Sequence, residues 1–291
     1  MQVECVVDSR SQLGEGAVWD ARENCLWWVD IDGHLLHRFD PETGKDTEWD
    51  LGEQPGCLAV RESGGLVIAR RSGFWFFDPK TGAWEAISDP EADMPDNRFN
   101  DGTIDRQGRF WAGTMFTGKP PQTAGTFYRL DADKSVTRGM DGFYTTNGSA
   151  FSPDGRTMYA SDSNKDVRTI WAWDYDTETG TPSNQRIFFD TREVDGRPDG
   201  GTVDADGCYW MAGIDGWQIV RITPAGKVDR IVELPIERPT KPTFGGAGLD
   251  TLFVTSLSLG LDPNRPQPQA GSLFAITGLG TSGLEDARFQ G

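Results

Sequence analysis

Residues 98–114 read Arg-Phe-Asn-Asp-Gly-Thr-Ile-Asp-Arg-Gln-Gly-Arg-Phe-Trp-Ala-Gly-Thr, and this stretch is the template for the rest of the chain. It has a polar start, a short apolar strand, a tight turn at Gly108 and a second apolar strand. Asn100 stands eight residues before the turn glycine. The same offset of eight residues separates Asn147 from Gly155 and Asp199 from Gly207. A looser copy has an offset of nine residues between Glu15 and the turn residue Asn24. If the repeats are related by rotation, these four polar side chains should meet in space.

The template belongs to a series of six units that follow a lone strand at 3–7, each of roughly 40 to 50 residues, a period typical of propellers or solenoids. Units one and two each contain four strand-like runs and share the hairpin pattern Asp-Pro-x-Thr-Gly, at residues 40–44 and 78–82. Such hairpins favour antiparallel sheets. Unit six lacks a clear fourth strand, which the N-terminal strand can supply. No run has sustained helical periodicity, and residues 263–269 are expected to form an exposed loop.

These patterns predict an all-β protein with one domain over residues 1–291. The predicted architecture is a six-bladed β-propeller of four-stranded antiparallel blades, with the ring closed by the N-terminal strand. A glycine count of 36 and an aromatic content of 11% suit short aromatic strands joined by tight turns.

The charge of the chain excludes several classes of partner. Lys and Arg number 28 against 45 Asp and Glu, which gives a formal net charge of −17. We therefore expect neither nucleic-acid binding nor association with an anionic membrane. The chain shows no secretory signal and no span long enough for a membrane, so a cytoplasmic location is expected. The cysteines form no CxxC pair and are expected to be buried reduced thiols: Cys5, Cys25, Cys57 and Cys208.

In a propeller the first strand of each blade lines the central axis, so the four equivalent side chains should face one mouth of the channel. Their ligand atoms are all oxygens, two of them from carboxylates, which suits a hard cation such as Ca²⁺, Mg²⁺ or Mn²⁺. Any one of them alone is better explained as a turn residue, but four aligned copies weaken that explanation. Units two and six carry Cys57 and Pro242 at this offset.

Other catalytic arrangements find little support in the sequence. The two histidines, His34 and His37, are expected on one strand of unit one, facing opposite sides, which argues against a histidine triad or a multi-histidine zinc site. No nucleophile elbow, phosphate loop or dinucleotide fingerprint is present. A bound metal would then have to carry the reaction. Arg98 lies near the same mouth, either as a donor to a substrate oxygen or as a surface ion-pairing residue.

Five ordered motifs carry a resemblance to a known family: residues 13–16 (Leu-Gly-Glu-Gly), 97–102 (Asn-Arg-Phe-Asn-Asp-Gly), 113–115 (Gly-Thr-Met), 146–148 (Thr-Asn-Gly) and 198–200 (Pro-Asp-Gly). Over essentially its whole length the chain resembles senescence marker protein-30, also called regucalcin, and the gluconolactonases and other sugar lactonases. The resemblance implies a propeller that hydrolyses aldonolactones with one divalent cation. It implies Glu15, Asn147 and Asp199 as metal ligands, Asp199 also as general base, and Arg98 and Asn100 as substrate-binding residues.

Asn100 thereby moves from candidate ligand to substrate-binding residue. One departure from the family concerns the run after Met115, where some relatives have an acidic residue that reaches the substrate. Here residues 116–121 are Phe-Thr-Gly-Lys-Pro-Pro. The family uses several ions, so Ca²⁺ is the first expectation and Zn²⁺, Mn²⁺, Mg²⁺ and Fe²⁺ are alternatives.

The function predicted is metal-dependent hydrolysis of a small sugar lactone to the aldonic acid. In this prediction the metal polarises the carbonyl and Asp199 activates water. Two alternatives remain: an organophosphate or aryl-ester hydrolase on the same fold, and a non-enzymatic propeller that binds calcium or a protein partner.

Overall fold

The computed structural model describes residues 1–291 and is built almost entirely from strands. Twenty-four strands form six four-stranded antiparallel sheets. The sheets surround one axis as a six-bladed β-propeller, which confirms the predicted fold class. The only helical element is a 3-10 turn at Thr191–Glu193, and no helix has the length and apolar character needed to cross a membrane.

Each blade is a meander of four strands that runs from the axis outward, and the strands of the first three blades are as follows. Blade one contains β2 (Gly14–Asp20), β3 (Cys25–Asp30), β4 (Leu35–Asp40) and β5 (Lys45–Asp50). Blade two contains β6 (Pro55–Val60), β7 (Leu66–Arg70), β8 (Gly73–Asp78) and β9 (Ala83–Ser88). Blade three contains β10 (Asn97–Ile104), β11 (Phe110–Phe116), β12 (Gly125–Leu130) and β13 (Val136–Phe143).

The other three blades repeat this order. Blade four contains β14 (Thr146–Phe151), β15 (Thr157–Asp162), β16 (Thr169–Asp176) and β17 (Thr181–Asp190). Blade five contains β18 (Arg197–Val203), β19 (Tyr209–Ile214), β20 (Gln218–Ile222) and β21 (Val228–Glu233). Blade six contains β22 (Pro239–Gly245), β23 (Thr251–Ser256), β24 (Leu273–Thr277) and the N-terminal strand β1 (Gln2–Val7).

The ring closes where the sequence predicts. Strand β1 pairs antiparallel with β24, from Gln2 opposite Thr277 to Val7 opposite Leu273, with a shift of register between Cys5 and Val7. Blade six is therefore completed by the chain's N-terminus. Residues 263–269 form the expected irregular, largely exposed loop. Because the N-terminal strand completes the last blade, the ring is closed and the inner strands are fixed around a common axis. Side chains far apart in sequence can therefore share one site.

The hydrophobic core lies between adjacent blades. Its clusters each combine residues from neighbouring sheets, and the largest fully buried side chains include Trp28, Trp111 and Trp210, each on the second strand of its blade. Fully burying a large apolar side chain is worth about 1.5–3 kcal/mol, so the blade interfaces supply most of the rigidity that holds the axis. All four cysteines are free thiols, with Cys5 half-buried and the other three buried.

A C-terminal segment, residues 282–289, crosses the end of the channel at which the inner strands terminate. Its backbone hydrogen bonds reach three different blades: Ala205 N donates to Ser282 O at 2.8 Å, Gly283 N to Leu249 O at 2.7 Å and Phe289 N to Val60 O at 2.9 Å. Arg288 adds an ion pair with Asp20 at 2.8 Å. This segment encloses a small cavity of about 40 Å³ inside the channel.

Candidate functional site

The candidate site lies where the inner strands begin, and an irregularity in each strand determines which way its side chains point. The strand register shifts between Glu15 and Val18, between Phe99 and Gly102, between Asn147 and Ala150, and between Pro198 and Gly201. Such bulges turn side chains out of the regular alternation and are common next to functional sites. Here they direct polar side chains from four blades toward the axis.

Glycines next to the site allow these bulges. Gly16 and Gly148 have φ values of 60° and 62°, a left-handed conformation that glycine adopts without steric cost. At Gly148 a side chain would also meet Ser161 Oγ and Tyr209 Oη, each 2.5 Å from where its Cβ would lie. The residue after each of the two ligand candidates Glu15 and Asn147 is therefore restricted to glycine by its conformation.

Asn147 and Asp199 make direct contact although 52 residues separate them in sequence. Asn147 Nδ2 donates to Asp199 Oδ1 at 2.6 Å and to Ser163 Oγ at 2.7 Å. The Ser163 hydroxyl in turn donates to the backbone carbonyl of Pro198 at 2.5 Å. A hydrogen-bonded chain thus fixes the orientation of the Asn147 amide and links blades four and five.

The amide oxygen of Asn147 is free for a further contact. Asn147 Oδ1 is buried and has no hydrogen-bond partner. A buried polar atom left without a partner costs free energy, and an unpaired one in a native structure calls for an explanation such as an ion. Oδ1 of Asn147 is an oxygen donor of the kind that hard cations bind, so the arrangement fits a cation at this point on the axis.

Glu15 completes the candidate ligand set from blade one. Its carboxylate is buried and accepts one hydrogen bond, from the backbone amide of Gly16 to Oε2 at 3.0 Å. Burial raises the pKa of Glu15 well above its usual range, and the neighbouring carboxylates Asp199 and Asp101 raise it further. Burial likewise raises the pKa of Asp199 to about 7, although the nearby Arg197 opposes the shift. Buried carboxylates that lie near enough to raise one another's pKa favour a bound cation.

Arg98 and Asn100 lie beside this group as a linked pair. Arg98 donates through one guanidinium nitrogen to Asn100 Oδ1 at 2.8 Å and to the carbonyl of Phe99 at 2.9 Å. Asn100 Nδ2 donates to the carbonyl of Thr146 at 2.9 Å. Both polar atoms of the Asn100 amide are therefore paired within the protein, which argues against its oxygen as a metal ligand. Arg98 is buried and forms no ion pair, so the surface ion-pair interpretation does not apply to it.

A buried ion pair lies beneath the candidate ligands. Lys241 Nζ of blade six lies 2.7 Å from Asp101 Oδ1 of blade three, with side-chain exposures of 6% and 0%. The other oxygen of Asp101 accepts hydrogen bonds from the backbone amide and hydroxyl of Ser149, at 2.8 and 2.7 Å. Burial works to lower the pKa of Lys241, but the Asp101 carboxylate raises it above its usual value. The ammonium group therefore stays charged.

Two further groups of potential metal ligands lie on blade one, away from the axis. One contains Asp20, Glu23 and Cys25, but Asp20 is already paired with Arg288 at 2.8 Å, and burial raises the pKa of the Cys25 thiol to about 12. The other contains His37, Asp46 and Glu48. The ring of His37 stacks on Trp28 with centroids 4.5 Å apart, and its Nδ1 contacts Asp46 Oδ2 at 2.8 Å, an arrangement that fixes the blade.

The two histidines are not arranged as the sequence suggested. His37 lies on β4, whereas His34 lies in the preceding turn with a φ of 60°. The expectation that both sit on one strand was wrong, because β4 begins at Leu35, with the apolar run, and His34 is the last residue of the turn before it. The conclusion drawn from it is unaffected, because the described chain places no histidine among the axial residues.

Comparison with known proteins gives the chain a family. The model of the SMP-30/gluconolactonase/LRE-like region matches residues 13–258. The chain belongs to this family. It is 36% identical to regucalcin of Xenopus laevis over 298 aligned positions, which cover 100% of this chain and 99% of the relative. It is 37% identical to the 6-deoxy-6-sulfogluconolactonase of Pseudomonas putida over 291 positions, with 99% of each chain covered.

A solved structure agrees with these relatives. The chain is similar to the structure described as a calcium-binding protein, regucalcin, from Agrobacterium tumefaciens, with a TM-score of 0.92 and 29% identity over 98% of this chain and 96% of that one. The family resemblance read from five short motifs is thus confirmed over the full length.

A surface cleft of about 720 Å³ opens beside the candidate ligands, which are not themselves part of its lining. Its lining includes Ser163, which contacts both Asn147 and Asp199, together with Met115, Phe116, Tyr144 and Arg197. This volume lies in the range of small-molecule sites. Phe116 directly follows the Gly-Thr-Met motif, so at this position the cleft wall is aromatic.

Proposed function

We propose that this chain is a metal-dependent sugar lactonase in which Glu15, Asn147 and Asp199 hold one divalent cation. The observation that carries the proposal is the unpaired, buried Asn147 Oδ1 beside two buried carboxylates whose pKa values are raised. Three oxygen ligands from three blades leave coordination positions open for water and substrate, as a catalytic site requires. The membership of the SMP-30/gluconolactonase family and the lactonase among the relatives support the same activity.

Asp199 is the residue that we assign to proton transfer. Water attacks the lactone carbonyl carbon, and the Asp199 carboxylate accepts the proton that the water loses. The ring C–O bond then breaks, and the ring oxygen takes up a proton to give the hydroxy acid. In the metal-free protein burial raises the pKa of this carboxyl group to about 7. A bound cation would lower that pKa and keep the group ionised, as a proton acceptor must be. Asn147 holds Oδ1 of this carboxylate through its 2.6 Å hydrogen bond.

Arg98 and Asn100 would orient the substrate. The remaining guanidinium nitrogens of Arg98 carry donors that no protein acceptor occupies, and Asn100 fixes the guanidinium through its 2.8 Å contact. A polyhydroxylated lactone offers several acceptor oxygens to such a donor. When bound, a divalent cation would supply Lewis-acid polarisation of the carbonyl and a lowered pKa for water.

The ion is proposed to be Ca²⁺ first. All three ligand atoms are oxygens and none is a thiol or imidazole nitrogen, which favours hard cations over Zn²⁺. One relative is described as a calcium-binding protein. Mg²⁺ and Mn²⁺ share the preference for oxygen, so the ligand set by itself leaves them as alternatives together with Zn²⁺ and Fe²⁺.

The substrate class is proposed to be a five- or six-carbon aldonolactone. One relative is named a 6-deoxy-6-sulfogluconolactonase. Here burial lowers the pKa of Arg98, the carboxylates of Asp32 and Glu15 oppose this shift, and the more weakly acting Arg71 adds to it. An anionic substituent on the sugar would therefore meet two arginines, Arg98 and Arg71, with the Asp32 carboxylate nearby. Neutral and 6-sulfonated gluconolactone should both be assayed. Arg71→Gln should raise the KM for the sulfonated substrate more than the KM for the neutral one.

The test is acid release from a panel of lactones by metal-free protein, before and after addition of Ca²⁺, Mn²⁺, Mg²⁺ or Zn²⁺. Spontaneous hydrolysis is subtracted with a matched blank. We expect turnover of at least one aldonolactone that disappears with chelator and returns with a divalent ion. Turnover of a phosphotriester or aryl ester without lactone turnover would replace the proposal by the other hydrolase. Ion binding without turnover of any substrate would favour the non-enzymatic propeller.

A further inference from the structure

The buried ion pair of Asp101 and Lys241 includes a third carboxylate close to the proposed ligands Glu15 and Asp199. Asp101 is needed for structure, because its carboxylate holds both the backbone amide and the hydroxyl of Ser149, two residues after Asn147. Yet a third buried carboxylate raises the pKa of both Glu15 and Asp199, in addition to the larger effect of burial. Its negative charge is therefore felt at the ligands.

Lys241 is positioned to cancel that charge. It reaches across the channel from blade six to blade three, and its Nζ lies 2.7 Å from Asp101. Its aliphatic stem packs over Gly200, where an added Cβ would lie 2.5 Å from Lys241 Cδ. Gly200 directly follows Asp199, so the lysine passes immediately beneath a candidate ligand. Room for this side chain is created by the absence of one at position 200.

We propose that Lys241 is a countercharge that fits the axial site to a divalent ion. By neutralising Asp101, it leaves Glu15 and Asp199 as the uncompensated charges beneath and around the ion, which match two positive charges. Without Lys241 the cluster would carry three uncompensated carboxylates and would favour a trivalent ion. Arg98 also carries a positive charge near the site, but it is unchanged in every variant below and so does not affect their comparison. The inference rests on the proposed metal site, but not on lactonase activity.

Four variants separate this role from a purely structural one. Two of them change the net charge of the cluster in opposite directions, and two leave it unchanged. Lys241→Met makes the cluster one unit more negative, and Asp101→Asn makes it one unit less negative. The double variant Asp101→Asn/Lys241→Met restores the original charge while removing both members of the pair. Lys241→Arg keeps the charge. Lys45→Met, at an exposed lysine of β5, is the matched control.

The measurement is calorimetric titration of metal-free protein with Ca²⁺ and with Tb³⁺, which gives the ratio of their affinities. A unit charge at a few ångströms, at an effective dielectric constant of about 20, changes this ratio by roughly tenfold or more. We expect the preference for Tb³⁺ to rise about tenfold in Lys241→Met and to fall about tenfold in Asp101→Asn. The double variant, Lys241→Arg and Lys45→Met should stay within about threefold of the unsubstituted protein.

The inference is overturned if Lys241→Met and Asp101→Asn move the ratio in the same direction, or if the double variant does not return it. Circular dichroism and thermal melting identify any variant that does not fold. If Lys241→Met fails to fold, Asp101→Asn and the double variant still decide the question, since only a charge effect lets the second substitution reverse the first. If the unsubstituted protein binds neither ion, the proposed metal site itself is wrong, which is a different outcome.

Discussion

The two ends of the channel use the same six strands in opposite ways. Where the inner strands begin, four of them present buried polar side chains, with carboxylates, amides and an unpaired oxygen close together. Where the same strands end, residues 282–289 enclose a cavity of about 40 Å³ whose lining is mostly apolar, with Lys241 and Asp286 among its few charged residues. The comparison indicates that the proposed catalytic residues lie at one end of the channel and the segment that closes it at the other. A substitution at one end should therefore have little effect on the function of the other end.

The largest effect that would test this separation is expected at the polar end. Asp199→Asn removes a proposed ligand charge and the proposed base together, so lactone turnover should fall by about a thousandfold or more, since general base catalysis alone is worth 10²–10⁴. Thermal stability should be unchanged or slightly higher. The measurement is kcat with saturating Ca²⁺, beside melting temperature. Asp93→Asn, at an exposed position, is the control. A variant that keeps a tenth of the activity would show that Asp199 is not the base.

The converse test is at the closed end. Phe289 is fully buried against Phe76, with ring centroids 6.0 Å apart, and its backbone bridges to blade two. Phe289→Ala should lower the free energy of unfolding by about 3–5 kcal/mol, as such cavities do. Ile187→Ala, at a side chain that is 69% exposed, should change it by less than about 0.5 kcal/mol. Chemical denaturation measures both.

The two ends would prove to be coupled if Phe289→Ala also lowered kcat or Ca²⁺ affinity at a temperature where the variant remains folded. Activity is therefore measured well below the melting temperature, with the folded fraction checked by circular dichroism. We expect the kinetic constants to match those of Ile187→Ala.

What the sequence could predict follows from periodicity. The spacing of strand and turn gave the blades, the closure by residues 2–7 and the polar ends of the inner strands, because a repeated offset implies rotational equivalence. The C-terminal segment escaped prediction for the same reason. It has no repeat and little regular structure, and its contacts are backbone hydrogen bonds to turns of other blades.

The ion pair of Asp101 and Lys241 escaped prediction because of the bulges. On a regular strand, adjacent residues face opposite sides, so Asp101 should point away from the axis when Asn100 points toward it. In the structure the register shifts between Phe99 and Gly102, and between Pro239 and Pro242, so both charged residues reach the interior. Alignment by turn offset compared Pro242 in unit six with the ligands and therefore passed over Lys241. Ser163 lies on no first strand and gave no signal at all.

A smaller effect at the polar end concerns pH. Burial raises the pKa of Asp199 from 3.8 to about 7, so in metal-free protein the folded state holds a proton over a range where the unfolded state has lost it. The folded state is therefore destabilised as pH rises from about 4 to 7, by at most about 4 kcal/mol from this group. Asp199→Asn cannot titrate and should lack this contribution. Urea denaturation of both proteins in chelator, at intervals between pH 4.5 and 7.5, measures the difference as a function of pH; parallel curves would contradict the shift.

The smallest effect that we predict is a loss of Ca²⁺ affinity in a variant that keeps all three proposed ligands but loses a residue that orients one of them. Ser163 lines the cleft but is not a proposed ligand of the ion. Its hydroxyl accepts from Asn147 Nδ2 at 2.7 Å and so keeps Oδ1 of that amide turned toward the axis. Removing a residue that orients a metal ligand commonly costs 10–100-fold in metal affinity. Ser163→Ala should therefore weaken Ca²⁺ binding by about that factor, measured by calorimetry, while the fold and the closed end stay intact.

Ser183→Ala, at an exposed position of β17, is the control and should leave Ca²⁺ affinity unchanged. The informative comparison is between affinity and stability in Ser163→Ala. Loss of affinity at an unchanged melting temperature means that the serine orients the amide, because the Asn147 side chain is then free to rotate its oxygen away from the ion. A lower melting temperature with unchanged affinity would mean that the hydroxyl only joins blades four and five through the carbonyl of Pro198, and that the bulge alone aims the ligand.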